Sequence, residues 1–299
     1  MDTGTLIRQG VEYTRGGIAT QAYLAERTVE DMDGNVITKT YLKLADVNGG
    51  YVGMMEEQPE AGFHNSFYRG KDVTSYYTDG TLYTRISSGK FEDLYVGDYF
   101  TAKINGSNRV CRIAGFDVYW NTGDSGLTKH HAVIVPDASL MNAQMNETNT
   151  TEGGYTGSKM WTETIPTIDG YLTDTFGSHL LTLREYMSNA ISADTANATC
   201  PQWKGAASAA GWFSTKSNLM TEVEVYGSTI LTSSGYDIWT GRSQLPLFRL
   251  RPDHIQTRFA WWLRCVVSSA HFADVNTCGY ATYYGASSSY GVRPRFIID

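Results

Sequence analysis

From about residue 91 onward the apolar positions recur in short runs broken by glycine, asparagine and aspartate, the pattern of many short strands with few helices. Residues 94–104 and 109–118 read as two strands paired across Asn105-Gly106, a dipeptide that tolerates the positive φ of a tight hairpin turn. Residues 131–136, His-Ala-Val-Ile-Val-Pro, are predicted as a buried strand. Asp137 then reads as a helix cap, with Leu140, Met141, Ala143 and Gln144 following at helical spacing. The clearest amphipathic helix is predicted over 178–191, where Leu180, Leu183, Met187 and Ile191 fall on one face. Further strands are expected over 220–226, 230–232, 261–267 and 292–298. Helices among many short strands define an α+β domain.

The first 90 residues differ. Asp33-Gly34-Asn35 suits a tight turn leading into an extended segment. Residues 1–50 are too few to bury a core alone, so they are expected to pack against copies of themselves or a docking partner. Residues 51–90 read as a connector, with Tyr76, Tyr77, Leu82, Tyr83 and Ile86 forming short strands around an Asp79-Gly80 hairpin turn. Residues 91–299 form the main domain.

Composition narrows the function. The chain has 299 residues, 41% hydrophobic and only 18% charged, with 30 glycines and 20 tyrosines. Tyrosine combined with small polar residues is the vocabulary of binding loops, because tyrosine gives a large contact area with few torsions. The formal net charge of −7 and the lack of a basic stripe argue against nucleic acid as a partner. No run of about 18 apolar residues is present, so no membrane insertion is expected. The opening residues lack the charged and apolar regions of a signal peptide. Cys111, Cys200, Cys265 and Cys278 form no C-x-x-C pair and are expected as free, mostly buried thiols, a Cys265–Cys278 disulfide being the alternative. No cofactor and no metal are expected.

The most informative stretch is 268–291, between Trp261-Trp-Leu-Arg264 and Gly291-Val-Arg-Pro-Arg-Phe296. After Trp262 the remaining 37 residues contain no Trp, Met, Gln, Lys or Glu, types that make up about one in seven residues of the chain. Chance gives such a gap with a probability on the order of 1% or less. The genetic code supplies a reason. An Asn codon AAY with both adenines randomised encodes Tyr, Ser, Thr, Ala, Asp, His, Cys, Gly and several others, but never those five types or a stop. The segment reads as Asn positions scattered over the permitted set, with Phe272, Val275, Gly279, Ala281, Ala286 and Gly291 as the fixed skeleton between them. The plainer alternative is a Gly/Ser/Tyr-rich terminal hairpin without a ligand.

At these residues the chain resembles the variable proteins of diversity-generating retroelements, common in phages of gut bacteria. The pattern WWLR, FADVN, GYA, GAS and YGVRPRF is similar to their carboxyl-terminal variable region. Upstream matches at 94–100, 130–137, 153–158, 219–227 and 246–248 extend the resemblance over about two thirds of the chain. Residues 33–41 are similar to short segments of phage tail fibres, which are often trimeric. The resemblance implies a C-type-lectin-like domain with variable region 268–290, behind a short extended tail-fibre-like amino-terminal segment that attaches or oligomerises it. It implies a ligand-contacting set of Ala270, His271, Asp274, Asn276, Thr277, Cys278, Tyr280, Thr282, Tyr283, Tyr284, Gly285, Ser288 and Tyr290. The expected protein is a virion-borne tail adhesin, trimeric in the manner of tail fibres, that recognises a host surface protein or glycan. Neither Glu-Pro-Asn nor Gln-Pro-Asp, the calcium-dependent sugar-binding signatures of lectins, occurs in the chain, which favours a protein ligand.

No Walker loop, dinucleotide fingerprint, G-x-S-x-G elbow or zinc spacing is present, so an enzyme is not expected. His130 and His131 read as hydrogen-bonded structural residues, and Asp117 and Asp124 as loop carboxylates bonded to backbone. Trp161, Trp203, Trp212 and Trp239 read as framework. Arg264, Arg293 and Arg295 are expected to pair with buried Asp or Glu and brace the variable strands. The rival readings are a bacterial surface-displayed or secreted binder with the same domain, and an enzyme built on the lectin-like scaffold.

Overall fold

The computed structural model describes residues 6–8, 11–13, 21–30, 34–45, 51–191, 207–232 and 243–299. The chain is mixed α+β, mostly strands in several sheets with few helices. Strands β1 (Leu6–Arg8), β2 (Val11–Tyr13), β3 (Gln21–Glu30), β4 (Val36–Ala45) and β5 (Tyr51–Glu56) form an antiparallel sheet in the order β1-β2-β5-β4-β3. Its longest pairing is β3 with β4, which closes with Glu30 opposite Val36. Gly34 takes φ of 81° in the connecting turn, as its lack of a Cβ allows, while Asp33 lies outside the described residues.

The short strands expected around Asp79-Gly80 are instead helices. After α1 (Ala61–His64), α2 (Thr74–Thr78) and α3 (Thr81–Ser87) flank that dipeptide. Gly80 turns between them at φ of 81°, and the Asp79 carboxylate accepts the Thr81 N–H at 2.9 Å, a local bond that starts a helix as readily as a hairpin. Val73, Leu82 and Ile86 are buried in one cluster with Phe91, Phe100 and Phe116.

The expected hairpin across Asn105-Gly106 is present. Strands β6 (Tyr99–Ile104) and β7 (Ser107–Phe116) pair down to Ile104 opposite Ser107, with φ of 45° and 74° at the two turn residues. The strand expected at 131–136 is β8 (Ala132–Pro136). No helix follows Asp137. Its carboxylate instead accepts the Arg112 guanidinium, Nε to Oδ1 at 2.7 Å, and the chain extends as β9 (Met141–Gln144). The unread helix is α4 (Ile165–Phe176), which has a proline in its first turn and buries Ile165, Ile168, Leu172 and Phe176.

Residues 178–191, expected as a helix, hold β10 (Leu183–Ile191), paired antiparallel with β11 (Ala207–Thr215). Leu183, Glu185 and Met187 are buried at a period of two, with Ser188 buried beside them. The alternation was hidden because one inward position is a carboxylate, which reads as exposed. Beyond β12 (Ser217–Leu219), the strand expected at 220–226 is the helix α5 (Glu222–Tyr226). Thr221 and Glu224 make a reciprocal capping box, and Gly227 ends the helix at φ of 82°. Nor is 230–232 a strand: it is a loop whose backbone N–H groups donate to the buried Glu222 carboxylate.

After α6 (Pro246–Leu250) come β13 (Trp261–Val266), β14 (His271–Val275), β15 (Ala281–Gly285), β16 (Ser289–Val292) and β17 (Pro294–Ile298). One sheet runs β12-β17-β8-β7-β6 and another β15-β14-β13-β16-β9. β8 is buried along its whole length. Its Ala132 and Ile134 join a core with Leu82, Ile168, Leu172 and Phe176, while Val133 and Val135 join a second core with Phe248, Trp261 and Leu263. A strand covered on both faces loses its polar alternation, hence the unbroken apolar run.

The expected arginine bracing is present for two of three arginines. Arg264 on β13 and Arg295 on β17 both donate to Glu185 on β10, and Arg295 Nε reaches Glu224 on α5 at 3.0 Å. Tyr119 donates its hydroxyl to the same Glu224. All five side chains are buried. Arg293 departs from expectation: it donates to the carbonyl oxygens of Pro136 at 2.8 Å and His254 at 3.0 Å, and its guanidinium stacks on Trp261. Cys111 and Cys265 are buried free thiols and Cys278 an exposed one, so residues 265 and 278 form no disulfide; Cys200, Trp203 and Trp239 lie outside the described residues.

Burial alone would push the Glu185 carboxyl up, but the charges of Arg295 and Arg264 outweigh it and hold it down to about 2. A depressed carboxyl contributes stability that is present above its unfolded pKa and lost as pH falls through the folded value, so the network holds until well into acid. Glu185→Gln leaves two buried guanidinium groups without their shared counter-charge. It is expected to lower stability by about 3–5 kcal/mol, read as a shift in the urea midpoint at pH 7.

Candidate ligand-binding surface

The variable residues expected from the sequence are carried by a hairpin at the edge of a sheet. β14 and β15 pair in full register, His271 opposite Gly285, Phe272 opposite Tyr284, Ala273 opposite Tyr283, Asp274 opposite Thr282 and Val275 opposite Ala281. β15 is the last strand on its side, so it pairs with one neighbour only. Directly opposite residues share a face. The hairpin therefore presents Asp274, Thr282 and Tyr284 on one side and His271 and Tyr283 on the other.

The turn is built by Asn276. Its side-chain oxygen accepts the N–H groups of Cys278 and Tyr280, both at 2.9 Å, and Gly279 closes the turn at φ of 84°. The Tyr226 hydroxyl donates to the Gly279 carbonyl at 3.0 Å and pins the tip to α5. Thr277, Cys278 and Tyr280 project outward, Tyr280 with 71% of its surface exposed. Tyr283 and Tyr284 are also exposed. Tyr290 on β16 is half-buried and joins them, its ring centroid 4.9 Å from Tyr284 and 5.1 Å from Trp262, with both pairs steeply inclined.

The interleaved residues do the packing. Phe272, Val275, Ala286 and Val292 are fully buried. A Cβ on Gly291 would stand 2.1 Å from the Ser139 hydroxyl oxygen and 3.1 Å from the Ala260 carbonyl, so no larger residue fits there without movement. Ala270 and Ser288 lie half-buried at the far end of the hairpin, where the Ala270 carbonyl accepts the Ala286 N–H and the Gly285 carbonyl accepts that of Ser288. At Gly285 a Cβ would meet the Asn149 side-chain oxygen at 2.5 Å.

His271 shares a hydrogen bond with the Ser268 hydroxyl at 2.7 Å and meets Tyr283 edge-on at 5.2 Å; burial lowers its pKa. Asp274 is different from every other member of the set. It is fully buried, and among the described residues it is the one carboxylate whose two oxygens are both buried without a hydrogen-bond partner. Burial pushes its carboxyl up to about 7.

Two residues near the hairpin carried no signal in the sequence. Phe259 is 73% exposed just ahead of Trp261, whose ladder partner Val275 leads into the 276–280 turn. Asn149 borders Gly285 and accepts from the Ser287 N–H and hydroxyl at 3.0 and 2.8 Å. An isolated Phe reads as core and an isolated Asn as loop, so neither stands out without the fold.

The histidines and aspartates weighed for catalysis take structural partners. His131 is buried, and its Nε2 accepts the Tyr119 N–H at 3.1 Å. His130 pairs through Nδ1 with Asp117 at 2.7 Å, and Asp117 also accepts the His131 N–H at 2.8 Å. Asp124 forms an ion pair with Arg184 and also accepts backbone hydrogen bonds from its own and the Ser125 N–H. Among the described residues no three His, Cys, Asp or Glu side chains gather in a metal-binding cluster, and no helix is long and apolar enough to cross a membrane. Compared with known proteins, the chain matches no family model, no curated protein and no solved structure.

Asp274 sets a measurable pH dependence. The unfolded residue releases its proton near 4, the folded one near 7. Between those values the folded state binds more protons, so stability falls as pH rises through that window, by up to about 4 kcal/mol. Asp274→Asn is expected to remove this decline and to be the more stable protein at pH 8. Urea denaturation of both at pH 5 and pH 8 checks this; a wild-type advantage at pH 8 would contradict an unpaired buried carboxylate.

Proposed function

We propose that the chain is a diversified ligand-binding protein of the diversity-generating retroelement type, with a C-type-lectin-like domain that presents residues 268–290 to a host surface molecule. The observation that carries this reading is the difference in burial between the expected variable positions and the expected fixed skeleton of one segment. Thr277, Cys278, Tyr280, Tyr283 and Tyr284 of the variable set are exposed, and Phe272, Val275, Ala286 and Gly291 of the skeleton are buried. Asp274 is the buried member of the variable set, and Gly279 and Ala281 of the skeleton are half-buried. A surface that samples many residues must avoid the core, where volume changes cost kilocalories.

The ligand favoured is a protein. Tyr280, Tyr283, Tyr284 and Tyr290 supply amphipathic anchors of the kind that dominate protein interfaces. The calcium-lectin signatures are absent from the sequence. The amino-terminal segment would attach the protein to a phage tail and assemble it, as a trimer, so that several weak contacts add up in avidity. In this reading the molecule acts on a virion and has no catalytic role.

The test is the DNA of the gene and its flanks. A nearby near-repeat with AAY codons wherever it differs from the codons of 270–290, beside a reverse transcriptase, is the expected result. Differences at bases other than adenine, or no repeat, would sink the retroelement reading. The surface itself is checked with the triple variant Tyr280→Ala, Tyr283→Ala, Tyr284→Ala in a binding assay on cells of the host bacterium. Adhesion is expected to fall by about 100-fold or more, with the unfolding midpoint within about 0.5 kcal/mol of wild type.

A further inference from the structure

We infer that Asp274 is the acceptor for a cationic group of the ligand, so that the molecule recognised presents an amine or guanidinium into a pit walled by Trp262, Tyr284 and Tyr290. This rests on the reading of the hairpin as a ligand-binding surface and specifies the chemistry of what binds there.

The argument starts from placement. Trp262 and Thr282 stand directly opposite Asp274 on its two neighbouring strands, so the three side chains share a face. Tyr284, two residues beyond Thr282, lies on that face too, and Tyr290 bridges the Tyr284 and Trp262 rings at about 5 Å from each. The Tyr290 hydroxyl is pushed up to about 12, first by burial, then by its hydrogen bond with Tyr284, and in part by the negative charge of Asp274. Three aromatic rings thus surround a carboxylate with no hydrogen-bond partner among the described residues.

An unpaired buried carboxylate costs stability unless it is protonated or meets a cation. Arg264 and Arg295 are committed to Glu185, and Arg293 donates to backbone carbonyls. A cation from outside fits both features of the pit: it pairs with the carboxylate, and its charge is attracted by the ring faces. Tyr284, on the face of Asp274, is exposed, and Tyr290, which packs on Tyr284 and Trp262, is half-buried, so rotation of their side chains would open a way to the carboxylate without moving the strands. A neutral donor would gain the hydrogen bond alone. The net charge of −7 favours the approach of a basic partner.

The probe is n-butylguanidinium, with n-butylurea as the neutral control of similar shape, added to the full chain. The carboxyl carbon of Asp274, assigned by its loss in Asp274→Asn, is followed by NMR through pH 4–9. The expected result is that about 50 mM n-butylguanidinium lowers the Asp274 midpoint by at least one pH unit, a tenfold preference for the ionised form, while n-butylurea leaves it in place. In Asp274→Asn, guanidinium affinity read from tyrosine chemical shifts falls at least tenfold. A midpoint moved by neither probe, or moved equally by both, overturns the proposal. The wild-type titration keeps the test decisive even if the variant folds poorly. An unmoved midpoint with adhesion still dependent on Tyr280, Tyr283 and Tyr284 removes the cation anchor and leaves the adhesin reading. A guanidinium-specific shift without adhesion or a DNA template supports the cation site and removes the adhesin reading.

Discussion

The structure depends on one buried ionic junction. Glu185 receives Arg264 and Arg295, and Arg295 also reaches Glu224, which takes the Tyr119 hydroxyl. These five residues come from β10, β13, β17, α5 and the loop after β7, segments far apart in the chain. Burying such charges carries a large desolvation penalty, so the network's net contribution to stability is modest even though breaking it is costly. Its effect is geometric. Arg264 and Arg295 sit in the two strands that bracket the hairpin and β16. The segment between them is therefore held at both ends by contacts that do not use its own side chains.

That arrangement explains what could be read from the sequence. Short-range chemistry was legible: the Asn105-Gly106 turn, the apolar run of β8 and the framing strands β13 and β17 all follow from local rules, while the acids that pair with Arg264 and Arg295 were expected in kind but not in place. Three errors fall where a charged side chain serves a partner far along the chain. Glu185 faces inward on β10, so an alternating strand resembled a helix once its buried carboxylate was taken for a solvent residue. Glu224 belongs both to the junction and to a capping box, so Thr221-Glu-Val-Glu read as a strand although its cap marks a helix start. Asp137 resembled a cap because the guanidinium that occupies it, Arg112, lies 25 residues away. In each case a charged side chain serves a distant partner, which no window of a dozen residues can reveal.

The candidate surface was proposed on a different kind of signal. Its signature lies in which residue types are missing, and that signal needs no knowledge of the fold. The sequence did not indicate that the set divides between two faces of an edge hairpin, or that Asn149 crowds Gly285 and Asp274 is buried. Those facts depend on register, and a shift of one residue would exchange the two faces.

Carboxylates buried in this molecule show why Asp274 matters. Asp98 accepts from Arg69 and from the N–H groups of Lys71 and Tyr95, and Glu222 accepts three backbone N–H groups. Glu185 has two guanidinium groups and an Asn218 amide. Each was given partners by the same chain that buried it. If position 274 is open to diversification, as proposed, it has no such guarantee, because its framework cannot anticipate which side chain will arrive. Asp at 274 then leaves the framework with an acceptor it was not built to satisfy, at a cost in stability that the ionic junction and the two cores absorb. The residue that least suits the folded chain alone is the one with most to gain from a partner, as the proposed binding surface would require.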